Sequence, residues 1–289
     1  MTKGERLVNS VALCALYLRG APFVRCVRRR RWPLVADALR SEGPDLRSLS
    51  EALRARGLYD ESACLGDTSL VEWALGVCSS GRAVTFLDPC YPRGWGDALG
   101  VCAPPCVWSR GTPPAAAAVG VVGSRVLNAV DRSFAAGVGR LAMRTGRTLV
   151  TGGAVGADSV ALDAAVLCGG AGRCVVVLPY GLDRAPSLPG VCLLSVCEPW
   201  AEFTTGQAME RNTLIYAFGR RAVVVRARLR EGGTWHGATD ALRRRLGAVY
   251  VRRRAADPAS AALCALGAVG VSSVAELGSL LDLPLSPAQ

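Results

Sequence analysis

Apolar residues along the middle of this chain alternate between two rhythms. Val119–Val122 is a short run rich in β-branched residues. The segment after it carries apolar residues at Val130, Phe134, Val138, Leu141 and Ala142, the spacing of a buried helix face. Thr148–Thr151 opens a second cycle of run and helix. Cys174–Leu178, Cys192–Val196, Ala222–Arg226 and Val249–Arg252 read as further strands. Helices are expected to open at Glu210-Arg211-Asn212, running through Phe218, and after Gly232-Gly233-Thr234, running through Leu246. Six strands with intervening helices predict an α/β fold, a doubly wound, mostly parallel Rossmann-like sheet.

The flanks follow different patterns. Residues 1–65 read as short helices and predict a small helical appendage. Leu7, Val11, Cys14, Ala15 and Leu18 form one helical face, and Leu34, Ala38 and Leu39 begin another turn after Trp32-Pro33. Arg28–Arg31 is a basic run that is open to nucleic-acid contact and reads first as a solvated helix end. Gly43-Pro44 and Gly57 break the helices. Ser69-Leu70-Val71-Glu72 has the pattern of a capping box opening a helix through Val77, and Ala83–Leu87 and Cys106–Ser109 read as strands. The sheet domain is expected over 66–254. A short helical tail, apolar at Leu263, Leu266, Val269, Leu277, Leu280 and Leu281, is expected over 255–289, with Pro284–Gln289 loose.

Composition narrows the function classes. A hydrophobic content of 51% with 20% charged residues belongs to a folded chain, and the net charge of +11 favours polyanionic partners. Lys3 is the only lysine. The twelve cysteines form no C-x-x-C pair, and most lie in apolar runs, which suits reduced thiols packed as small hydrophobes in a cytoplasmic protein. The apolar Val11–Leu18 stretch is too short for a signal peptide and lacks a cleavage site, and no stretch has the length of a membrane span. His236 is the only histidine, so a zinc site or a Ser-His-Asp triad lacks raw material.

Candidate chemistry gathers where strands meet helices. Three glycine-bearing loops converge on the carboxyl edge of the predicted sheet: Gly123-Ser124-Arg125, Gly152-Gly153-Ala154-Val155-Gly156 and Gly232-Gly233-Thr234. Arg211-Asn212, read as a further strand–helix junction, adds a second arginine to the rim. Backbone N–H groups at helix starts, with two arginines, suit successive phosphates. The plainer alternative is that the glycines only make tight turns. Neither G-x-G-x-x-G in the opening loop nor G-x-x-x-x-G-K-[ST] is present, which argues against a nicotinamide enzyme or a nucleotide-hydrolysing motor. Asp158 and Glu198 lie near the rim, but no nucleophile, metal or histidine partners them. Asp158 reads as a brace for the glycine loop, and no catalytic residue, metal ligand or cofactor is assigned. Trp235 either stacks a base or packs in its helix.

The order of these motifs resembles the DNA-processing protein A (DprA/Smf) family. The resemblance rests on Gly123-Ser124-Arg125, Thr151–Asp158, the Gly181-Leu182-Asp183 turn and Leu193-Leu194-Ser195 with Glu198-Pro199. Arg211-Asn212, Gly232-Gly233-Thr234 and, upstream, Leu87–Pro92 complete it. It covers roughly residues 7–252. It implies a SAM-like helical appendage, an extended Rossmann domain, a non-enzymatic single-stranded DNA-binding activity, and hand-over of DNA to a RecA-type recombinase during uptake of foreign DNA. A homodimer is compatible with it, and no membrane contact is implied. The chain departs from the family pattern at Leu162, where a histidine is usual, at Thr213 and at Arg226. It also has Ala208-Met209 in place of Phe-Pro and Pro186-Ser187 in place of Tyr-Pro. A divergent paralogue with altered ligand preference is one consequence. The runner-up reading is a nucleotide-processing Rossmann protein akin to phosphoribohydrolases, whose P-G-G-x-G-T loop is here Glu231-Gly232-Gly233-Thr234. A structural adaptor is a third, and leaves the rim unexplained.

Overall fold

The computed structural model describes residues 3–19, 28–41, 45–254 and 256–282. The Gly43-Pro44 break and the Pro284–Gln289 tail lie outside them. Contacts divide the chain into two compact units, Met1–Tyr91 with Gly100–Thr112, and Pro92–Leu99 with Pro113–Gln289.

The first unit is built on α1 (Lys3–Leu18), α2 (Arg28–Ser41), α3 (Leu46–Ala55), α4 (Tyr59–Gly66) and α5 (Thr68–Ser79). It also holds an antiparallel pair, β1 (Ala83–Thr85) and β2 (Cys106–Arg110). Every residue from Val11 to Leu18 is buried, whereas Leu7 is 46% exposed. This corrects the single-face reading of α1: α3, α4, α5 and the strand pair surround it, and a helix enclosed on all sides is apolar all round. α2 runs through Pro33. Pro33 is the sixth residue of the helix, past its first turn, so the N–H it lacks is one that would otherwise bond the carbonyl four residues back. Arg31 is not a solvated end either, since its guanidinium pairs with Asp60 at 3.3 Å and with the buried Glu61 at 2.9 Å. α5 is capped by Asp67, whose carboxylate accepts from the Leu70 N–H at 3.1 Å, so the helix starts ahead of Ser69.

The second unit opens with α6 (Arg93–Leu99) and then alternates β3 (Ala118–Val122), α7 (Ala129–Arg144), β4 (Thr148–Thr151) and α8 (Ala157–Leu167). β5 (Cys174–Leu178), β6 (Cys192–Ser195), α9 (Thr205–Gly219), β7 (Arg221–Val224) and α10 (Gly232–Arg243) follow. The series ends with β8 (Ala248–Arg252), α11 (Pro258–Ala265), β9 (Val269–Val271) and α12 (Val274–Asp282). Its strands are all parallel, in the order β6-β5-β4-β3-β7-β8-β9. β3, β4 and β5 are buried along their whole length, which is why they read as unbroken apolar runs. α7 and α8 pack together on one face, and α9 with α6 and α10 on the other. The expected helical C-terminal stretch contains, besides its two helices, the strand β9, which pairs with β8.

The chain winds outward from β3 through β4, β5 and β6, then returns to add β7, β8 and β9 on the opposite side of β3. The strand order therefore reverses between β3 and β7. In an open α/β sheet the crevice outside the carboxyl ends at such a reversal is where ligands bind.

Candidate nucleic-acid interface

At that reversal the loops after β3 and β7 part around a cavity of about 600 Å³. The pairing of β3 with β7 persists into the loops, with the Ser124 N–H donating to the Arg226 carbonyl at 2.9 Å. Gly123, Ser124 and Arg125 line one side of the cavity and Gly232, Gly233 and Thr234 another, while Arg211, Asn212 and Tyr216 reach it from α9. Arg125 is exposed and Arg211 is 8% exposed.

The three glycine loops play unequal parts. α10 is entered from Glu231 with no side-chain cap, and its first-turn residues Gly232, Gly233 and Thr234 line the cavity. In the Gly152–Gly156 loop the backbone donors are engaged locally. The Gly152 N–H donates to Asp158 Oδ2 at 3.0 Å, the Gly153 N–H to Thr151 Oγ1 at 3.4 Å, and the Gly156 N–H to Ser159 Oγ at 3.2 Å. Ala154 and Asp158 line the cavity, but Gly152, Gly153 and Gly156 do not. Gly156 instead has φ +105 and lets the backbone of Ser124 and Arg125 pass where a Cβ would stand. Gly152 leaves room for the Arg211 guanidinium in the same way. Two of these three glycines thus shape the rim from behind.

Arg211 and Asn212 are not at a helix start. α9 is capped by Thr204, whose hydroxyl accepts from the Gln207 N–H at 3.2 Å, and Arg211 lies two turns in. The polar stretch Thr204–Glu210 reads as loop because it buries little. Arg211 Nη1 stands 3.9 Å from Asp158 Oδ2, both side chains being almost wholly enclosed. Burial pushes the Asp158 carboxyl above its ordinary range and the Arg211 guanidinium below its own, each opposed by the other's charge. Asn212 Nδ2 donates to the Gly233 carbonyl at 3.3 Å and so ties α9 to the α10 entrance. The Tyr216 hydroxyl is buried among the cavity-lining groups, and among the described residues no hydrogen-bond partner meets it. Trp235 is 8% exposed and packs, whereas His236 is exposed.

The family model for DNA recombination-mediator protein A matches residues 82–281. The chain belongs to that family. DNA processing protein A from Streptococcus pneumoniae is 18% identical to this family member, with a TM-score of 0.66 over 99% of this chain and 100% of that one. DNA processing protein A from Helicobacter pylori, whose structure addresses its single-stranded DNA binding mode, is 19% identical. Its TM-score is 0.59 over 69% of this chain and 95% of that one. Both are likenesses of fold. No curated protein matches the sequence. The family is one of recombination mediators.

The departures from the family pattern have distinct surroundings. Leu162 is buried in α8 and Thr213 half-buried in α9. Arg226 lines the cavity while its Nη1 pairs with Asp131 Oδ2 at 3.0 Å. Glu198 does not line the cavity, and Glu231 faces Arg228 at 3.5 Å. Sequence reasoning missed Asp131, a fully buried carboxylate. The available signal was an acid three and four residues ahead of Phe134 and Ala135 on the apolar stripe of α7. Among the described residues no helix is long and apolar enough to cross a membrane, and no cluster of three His, Cys, Asp or Glu residues could hold a metal ion.

Proposed function

We propose that this chain binds single-stranded DNA at the β3–β7 crevice and serves DNA recombination by handing the strand to a RecA-type recombinase in the cytoplasm during DNA uptake. The observation that carries the reading is the cavity itself, at the sheet's reversal point, with exposed Arg125, half-exposed Arg226, Arg228 and the uncapped α10 entrance around it. Guanidinium groups and helix-start N–H groups are the donors that position phosphates without reading sequence. Ser124, Arg125, Gly232, Gly233 and Thr234 are assigned direct backbone contacts, and Arg211 and Asn212 the inner wall. Gly123, Gly152, Gly153, Gly156 and Asp158 keep the two β-loop turns in place. Membership of a recombination-mediator family supports the hand-over step.

The test is a titration of the protein with single-stranded DNA, duplex DNA and free mononucleotides. Preference for single strands is the expected result. Tight mononucleotide binding with release of the base would overturn it in favour of nucleotide processing.

A further inference from the structure

A second concentration of guanidinium groups lies at the carboxyl ends of β7 and β8, beside the cavity. Arg226 follows β7, Arg252 ends β8, and Arg253 and Arg254 come next. Three of them turn on one carboxylate. Asp131, in the first turn of α7, has Arg226 Nη1 at 3.0 Å from Oδ2, Arg254 Nη1 at 3.6 Å from Oδ1, and Arg252 Nη1 in contact with Oδ1. Asp257 takes Arg254 Nη2 at 2.6 Å, and Arg253 Nη2 donates to the Ser272 hydroxyl at 3.3 Å. Three guanidinium groups thus meet two carboxylates and a fourth meets a hydroxyl, which leaves surplus positive charge. Asp131 fixes the inner arginines, while Arg253 is exposed and lines with Arg254 a separate hollow of about 620 Å³.

The register sets these groups in line. Val122 lies beside Val224, and Val224 beside Val251, so the residues leaving β3, β7 and β8 stand side by side at one edge. Adjacent strands are about 4.8 Å apart. The step from the Arg125 loop past Arg226 to the end of β8 is therefore about 10 Å, a span of about three stacked nucleotides.

We infer that a strand seated in the β3–β7 cavity continues across the ends of β7 and β8, and that Arg253 and Arg254 form a second seat for the nucleic-acid backbone. This rests on the single-strand reading of the cavity. Arg226, lining the cavity and anchored by the same Asp131 that anchors Arg254, joins the two seats.

The test measures affinity and salt dependence for oligothymidylates of about 3 and about 20 nucleotides, the shorter no longer than the step between the seats and the longer able to span both. Arg125→Ala should weaken both. Arg253→Ala, at an exposed position, should leave the short oligomer unchanged and weaken the long one about fivefold at about 0.1 M salt, with a slope shallower by about 0.7. Arg253→Ala/Arg254→Ala should cost the long oligomer about 25-fold. Melting curves of both variants separate lost contacts from lost folding, and the single variant stands alone if the double one unfolds. Unchanged affinity of the folded Arg253 variant for the long oligomer, or equal losses at both lengths, would overturn the inference. An Arg125 variant that binds both lengths normally would instead sink the cavity reading.

Discussion

Asp158 and Arg211 show how much of the site depends on groups that never need to touch a ligand. The Asp158 carboxylate holds the Gly152 N–H and faces the Arg211 guanidinium, inside a wall where burial raises its pKa. A raised carboxyl keeps its proton longer in the folded chain than in the unfolded one. Its contribution to stability therefore falls as pH rises from the unfolded value of about 3.9 through the folded value. Asp158→Asn, which retains an acceptor for Gly152, should match the wild type in melting temperature below about pH 4 and gain on it above. The reverse trend, with the wild type gaining as pH rises, would show that Arg211 outweighs burial. Asp158→Ala removes the acceptor and should cost about 1–3 kcal/mol in denaturant unfolding. The glycine loops were legible because their spacing after apolar runs is a local signal. Asp158 as the brace of the loop was legible too; that Gly153 and Gly156 donate to Thr151 and Ser159 was not, because those acceptors act through turn geometry that spacing does not encode. Tyr216 was invisible for another reason: in sequence it is one aromatic in an apolar helix.

At the scale of elements, the strands buried on both faces were read nearly to the residue, since burial on two sides leaves no polar interruption in β3, β4 or β5. The errors fall where short-range pattern and tertiary environment disagree. α9 starts at a threonine cap ahead of a polar turn, so its apolar residues mark its middle and not its beginning. β9 is three residues long and carries Gly270 at its centre, so it offers almost no alternation to detect. Yet the segment it belongs to is part of the second unit's core. Leu277 is fully buried, and Arg147 Nη2 donates to the Leu281 carbonyl at 2.6 Å and faces Asp282 at 3.2 Å. α12 packs on α7, where a Cβ at Gly278 would stand 3.3 Å from Leu141. Leu277→Ala should therefore cost about 2–5 kcal/mol in denaturant unfolding, the range for a core leucine. A loss below about 1 kcal/mol would mean that α12 contributes to the core far less than its burial indicates.

For the molecule as a whole, the division into units does not follow the order of the chain. The first unit is interrupted by Pro92–Leu99, which belongs to the second, so the second unit starts with α6 and resumes at Pro113. The reason lies in one side chain and one gap. Trp95 is fully buried, its indole N–H donates to the Leu214 carbonyl at 2.8 Å, and its ring meets Phe218 edge-on at 5.6 Å. Gly94 brings the α6 backbone against the carbonyls of Ala217 and Phe218, where no side chain fits. α6 thus covers the C-terminal half of α9, the helix whose N-terminal half carries Arg211 and Asn212 to the cavity. Trp95→Ala should destabilise the second unit by about 3–5 kcal/mol. A fragment spanning 113–289 loses the same contacts, whereas one spanning 92–289 keeps them. At about 2–4 °C per kcal/mol for a unit of this size, the shorter fragment should melt about 10 °C below the longer. It should also bind single strands more weakly, because α9 then carries the inner wall of the cavity without its cover. Two fragments that melt together and bind alike would show that α6 is dispensable, and that α9 is held in place from the sheet side alone.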